Sequence, residues 1–201
     1  MKTKILEFNV NWDSIKRACM RTIGKEAGKT PNDEWKRKLL ICRHSPLRKG
    51  VITWKWQEIP YAISTHFVRH HIGCEKYVST SREDRTGIPR NQRSQMDYVS
   101  MEMDANIEAL LNISERRLCT CADATTREYW LDLKEQIKKY DKNIAWAMLP
   151  SGIVHGGCTE PFSNCKLCDK IIASMPIEDR NDIMKRYDYY EEYTKKNKKM
   201  I

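Results

Sequence analysis

No apolar run in the 201 residues approaches the roughly 20 needed to span a bilayer, so no membrane partner is expected. Nor does any long apolar segment follow the opening MKTKILEF, and the expectation is an intracellular, cytoplasmic protein. His-Glu-x-x-His is missing, which removes the helical zinc-hydrolase pattern. Gly-x-Gly-x-x-Gly is missing too, so nothing supports a Rossmann-type dinucleotide site. There is no internal repeat. Aromatic residues, by contrast, are not scarce: six Trp and nine Tyr are more than a disordered chain carries, and they predict a packed core.

What is present is positive charge. The 36 basic and 27 acidic residues leave a net +9, which favours anionic partners. Part of the excess lies in the tail KKNKKM, read as a solvated end. Eight cysteines without an export signal read as reduced thiols, buried or bound to metal.

The pattern along the chain is α+β. KTKILEFNV alternates as a strand does, and Asp13 is placed to cap a helix from Ser14. Asn32 or Asp33 starts a helix that His44-Ser45-Pro46 ends, because proline cannot continue the helical ladder. Residues 50–59 alternate again, with Trp54 and Trp56 on one face, and YAISTHFVRHH after Pro60 has helical spacing. Residues 79–92 read as a loop, 96–114 as a long helix through Met103, Ile107, Leu110, Leu111 and Ser114, and 122–140 as a second helix. A cysteine-bearing loop over 152–170 and a charged helix over 178–193 complete the chain. One domain is expected over 1–170, followed by a charged C-terminal helix and basic tail over 171–201.

The segment THFVRHHIGCEKYVSTSREDRTGIPRNQR concentrates three of the five histidines and five arginines. On a helix His66 and His70 share a face. Arginine suits phosphate because its rigid fork of N–H donors matches phosphate oxygens, and Ser79, Thr80 and Ser81 add hydroxyls. A solvated basic loop with one packed histidine is the plainer reading.

Arg69-His70-His71, followed after seven residues by Ser79 and then by Arg82, resembles the signature of the flavin-dependent thymidylate synthases. Arg43-His44-Ser45-Pro46 and the stretch NIEALLNISERRL from Asn106 to Leu118 resemble further family elements in the same order. The resemblance covers roughly residues 17–165. It implies a small antiparallel or mixed sheet with long helices, assembled as a homotetramer with sites between subunits. It implies methylation of deoxyuridine monophosphate to thymidine monophosphate, with FAD as cofactor and methylenetetrahydrofolate and NADPH as co-substrates. Carried over by position, His44, Arg69, His70, His71, Asn106 and Asn112 would hold flavin. Ser79, Ser81 and Arg82 would hold the nucleotide phosphate, with His66 beside the substrate, and Arg117 would polarise the uracil, where a fixed guanidinium stabilises developing charge.

This chain departs from the family pattern at several points. His71 replaces an arginine, Cys74 and Lys76 replace Ser and Asn, His66 replaces Gln, Glu108 replaces an arginine, and Arg82 stands one residue late. A same-fold enzyme acting on another pyrimidine nucleotide, or passing a one-carbon unit to another product, is the first alternative. A nucleic-acid-binding protein is the second and less favoured, because the basic cluster lacks the interleaved aromatics expected for single-strand stacking, with Tyr77 alone beyond the helix. His155, Cys158, Cys165 and Cys168 form H-x2-C-x6-C-x2-C, a spacing that can hold structural zinc in the Cys158–Cys168 loop and does not exclude an iron–sulfur centre. The remaining thiols, Cys19, Cys42, Cys119 and Cys121, read as core or near-core.

Overall fold

The computed structural model describes residues 2–162 and 165–197; the end of the basic tail and two positions of the cysteine loop lie outside them. Four strands form one open antiparallel sheet in the order β1-β2-β4-β3, built from β1 (Thr3–Asn9), β2 (Val51–Pro60), β3 (Cys74–Val78) and β4 (Tyr98–Asn106). Between β1 and β2 run α1 (Trp12–Arg21) and α2 (Asp33–Cys42); between β2 and β3 lies α3 (Tyr61–Val68), and before β4 a short α4 (Glu83–Thr86). After the sheet the chain is helical: α5 (Ile107–Arg117), α6 (Ala124–Lys138), α7 (Lys142–Ala147), α8 (Ser151–His155), α9 (Leu167–Ala173) and α10 (Ile183–Lys196). The α+β class agrees with the sequence pattern. No helix among the described residues is long and apolar enough to cross a membrane.

Strand β2 builds the core by alternation: Ile52, Trp54 and Trp56 point inward and are fully buried. Trp54 meets Trp56 and Trp130 of α6 edge-on, each at 5.8 Å between ring centroids, and Phe67 of α3 lies 4.7 Å from Trp56 and 5.5 Å from Trp130. Such offset and edge contacts add to the apolar burial of large rings, and truncating Phe67 to alanine would cost ~3–5 kcal/mol. The indole N–H of Trp56 donates to Thr3 Oγ1 at 2.8 Å, tying β1 to its neighbour. Phe67 thereby nails α3 to the sheet one residue from His66 and three from His70.

Several expected boundaries move. The helix expected over 96–114 is a strand followed by a helix. Val99, Met101, Met103 and Ala105 are buried at a period of two, and only from Ile107 does the period become helical. Met103 and Ile107 fit a helical spacing across the junction, so one apolar series masked two elements. Asn106 ends β4 and caps α5, its side chain accepting from Ala109 N at 2.9 Å. Asn11, not Asp13, caps α1, accepting from Ser14 N at 2.9 Å; Asp13 instead lies in the first turn, where a negative charge suits the helix dipole. The loop over 79–92 contains α4 and a 3-10 turn at Arg90–Gln92, and the cysteine loop contains α8 and part of α9. The last helix begins at Ile183, capped by Asp182, rather than near 178. Its buried Arg186 donates to the carbonyls of Ile153, Val154 and Arg180, which fastens α10 onto the end of α8.

Candidate active site

Two arms of the fold converge where α3 ends and α5 ends. Arg117, the last residue of α5, donates from Nε to His70 Nε2 at 3.0 Å and from Nη2 to the carbonyl of His66. Its guanidinium also lies 6.0 Å from the centre of the Phe67 ring. A cation at a helix C-terminus is favoured by the dipole, while burial, and then the charge of Arg69, works against it and lowers the pKa of Arg117. Burial depresses His70 to a pKa of about 4, helped by the positive charges of Arg117, Lys76, His71 and Arg116. His70 is therefore neutral near pH 7, and because Nε2 accepts from Arg117 its proton sits on Nδ1.

Two residues that break the family pattern hold this histidine. The Cys74 thiol donates to the carbonyl of His70 at 3.2 Å, and Lys76 Nζ donates to the same oxygen. Arg69 and His71, flanking it, are exposed. The structure thus splits the triplet, turning His70 toward Arg117 and leaving its neighbours at the surface. His66 is half-buried, with Nδ1 2.6 Å from the hydroxyl of Thr126 in α6.

A cavity of about 720 Å3 opens between the start of α3 and the segment joining β3 to β4. Ser79, Ser81 and Arg82 line it, together with Tyr61, Arg90 and Arg93, which the sequence reading did not single out. Ser79 continues the β3 pairing: its N–H donates to the carbonyl of Ser100 at 2.8 Å, and its Oγ accepts from Ser100 N at 3.0 Å. The hydroxyl proton is left for another acceptor. Arg82 is turned onto Asp84, with Nε and Nη2 at 3.0 and 2.8 Å from the two carboxylate oxygens. Arg93 donates from Nη2 to Thr86 Oγ1 at 2.6 Å, yet its Nε is buried with no partner among the described residues. An unpaired buried donor costs free energy until something accepts from it. The signal for Arg93 was present in the basic run, but its burial comes from contacts no local spacing reveals.

Asn106 and Asn112 line a separate hollow of about 340 Å3 with Gly73, Arg48 and Glu108. Gly73 has φ +73, and a Cβ there would stand 2.5 Å from Asn106 Nδ2, so only glycine fits without moving the amide. Glu108, which reverses the family's charge, is ion-paired to Arg48, and a cation is thus supplied from another segment. Asn112 Oδ1 accepts from Arg43 Nη1 at 2.6 Å, and Arg43 Nη2 is 2.6 Å from Glu115 Oε1. His44 is exposed beside them.

In the cysteine loop, His155 Nε2 is 3.1 Å from Glu115 Oε2, and Cys165 Sγ is 2.7 Å from Thr120 Oγ1. Burial pushes Cys168 up to about 12, the state of a protonated thiol. Among the described residues no group of three or more His, Cys, Asp or Glu side chains is arranged to hold a metal ion.

No protein-family model matches the chain, and no curated protein matches it in sequence. Solved structures do. A UMP/dUMP methylase, PolB from Streptomyces cacaoi, bound with 5-Br dUMP, matches with a TM-score of 0.58 at 13% identity, over 72% of this chain and 93% of that chain. At that identity the likeness concerns the fold.

Proposed function

We propose that this chain is a pyrimidine-nucleotide methylase that converts deoxyuridine monophosphate to thymidine monophosphate, with FAD as cofactor and methylenetetrahydrofolate and NADPH as co-substrates. The observation that carries the reading is the buried, unpartnered Nε of Arg93 in a cavity that also holds Ser79, Ser81, Arg82 and Arg90. A phosphate supplies several acceptor oxygens at once and would satisfy that donor together with the Ser79 hydroxyl. The fold likeness to a methylase of UMP and dUMP and the sequence signature lend support from separate directions.

In this reading the nucleotide phosphate enters the 720 Å3 cavity and the base extends toward Arg117. Arg117 keeps guanidinium protons beyond the two donated to His70 and His66, and these stabilise negative charge developing on a ring oxygen. His70, held neutral, positions Arg117 without repelling it as a second cation would.

The hollow lined by Arg48, Asn106, Asn112 and Gly73 offers amide and guanidinium donors that suit the polar edge of a flavin ring. At about 340 Å3 it holds only part of FAD, so the rest would be covered by a neighbouring chain in a homotetramer. Bound there, flavin would supply the electrons for reducing the transferred carbon; this chain's part is to bind, orient and polarise.

The test is direct. Purified protein with FAD, NADPH and methylenetetrahydrofolate should add one methyl group to dUMP, read by mass spectrometry of the nucleotide. Absence of flavin absorbance after FAD addition and gel filtration would sink the cofactor assignment. Methylation of UMP in preference to dUMP favours the alternative substrate, for which the fold likeness to a methylase of both nucleotides is the supporting observation.

A further inference from the structure

Thr126, in the first turn of α6, is fully buried and therefore no nucleophile, yet it is bonded on two sides. Asp123, the N-cap of α6, accepts from Thr126 N at 2.8 Å and lies 3.1 Å from Thr126 Oγ1 through the same Oδ1. On its other side Thr126 Oγ1 is 2.6 Å from His66 Nδ1. A hydroxyl has one proton, and an ionised carboxylate can only accept. Giving that proton to His66 would set two acceptor oxygens 3.1 Å apart, so it goes to Asp123 and His66 Nδ1–H donates to Thr126. The lone pair of His66 is then on Nε2, which makes no hydrogen bond among the described residues. The main chain of His66 is held as well, because its carbonyl accepts from Arg117.

We propose that Asp123 and Thr126 are positioning residues that lock His66 in its Nδ1–H tautomer, so that Nε2 is a fixed acceptor reading an N–H of the bound pyrimidine. Uracil carries a proton on N3 and cytosine does not, so a fixed acceptor pairs with the first and faces a lone pair on the second. The device selects uracil-type nucleotides. The selection rests on the function proposed above; the tautomer does not.

The experiment uses the full chain, labelled with nitrogen-15 in its histidines, together with Thr126→Val and Thr126→Ser. Valine keeps the shape and leaves the Asp123 cap on the backbone intact, whereas serine restores the hydroxyl. In the nucleotide-free protein at mildly alkaline pH, the His66 ring should be protonated at Nδ1 in the parent and in Thr126→Ser, and mixed or reversed in Thr126→Val. Binding of dUMP should exceed that of dCMP by about tenfold or more in the parent, as an acceptor facing a lone pair in the complex demands. The preference should fall to within about threefold in Thr126→Val and return in Thr126→Ser. An Nε2–H tautomer in the parent overturns the proposal, and so does a base preference that Thr126→Val leaves intact. If neither nucleotide binds while the Nδ1–H tautomer is present, the nucleotide reading has failed and the base-reading role with it, but the lock stands.

Discussion

The 720 Å3 cavity and the Arg117–His70–His66 cluster both draw on the same basic run, the second adding Arg117 from α5, but they are built in opposite ways. In the cavity, Arg82 and Arg90 are exposed, Arg82 is paired only with a carboxylate two residues away, and Arg93 has an unspent donor. In the cluster, the Arg117 side chain is joined directly to the His70 ring 47 positions away and to the His66 carbonyl 51 positions away, against a ring that is part of the aromatic core. One region is a pliable electrostatic anchor; the other is a fixed frame. Phosphate tolerates the first because its charge is spread over several oxygens. A reacting ring needs the second, since catalytic electrostatics depend on dipoles already in place.

The comparison breaks most visibly at Arg117. Arg117→Ala should lower turnover by about 10²–10³-fold, the size of a lost charge-stabilising donor, with nucleotide affinity falling far less. Steady-state kinetics beside direct nucleotide titration separate the two, and an equal loss in both would make Arg117 a binding residue only. At the anchor the pattern should invert. Arg93→Ala should weaken nucleotide binding about 10–100-fold, as for a charge-assisted hydrogen bond, with turnover at saturation changed little. Deoxyuridine lacking its phosphate should bind both forms alike.

A third, smaller effect concerns pH. The unfolded chain takes up a proton on His70 near the ordinary value of 6.5, while the folded chain resists until about 4. Stability is therefore complete above the ordinary value and is lost as pH falls from about 6.5 toward about 4. For a ring that solvent still partly screens, this amounts to ~1 kcal/mol. Urea unfolding across that range should show a slope that His70→Gln flattens. Least of all, Asp84→Asn should release Arg82 and raise nucleotide affinity by no more than about threefold, since exposed ion pairs contribute little.

Much of this frame was legible in the sequence because its signals are local. The alternation around Trp54 and Trp56, the start of α2 at Asn32 or Asp33 and the helix over 122–140 each follow from a few neighbouring residues. Ser79, Ser81 and Arg82, close along the chain, are also close in space at one cavity. What escaped was contact between distant segments. Edge strand β3 is five residues of mixed polarity whose identity depends on pairing with β4. Cys74 and Lys76 look like lost family positions until both are seen holding the carbonyl of His70. The burial of Arg93 Nε, and the meeting of Thr126 with His66 across 60 residues, leave no trace in spacing.

Asn106 belongs both to the last turn of pairing in the sheet and to the cap of α5. No slack chain separates the strand from the helix that carries Arg117, so sheet and guanidinium behave as one crank. Adding a single residue at this joint would swing Arg117 by about 100° about the helix axis while leaving every side chain of the site unaltered. The spacing between Asn106 and Arg117 is thus a dimension of the site in its own right, and insertions there should be tolerated far less well than in the loop that carries Arg82.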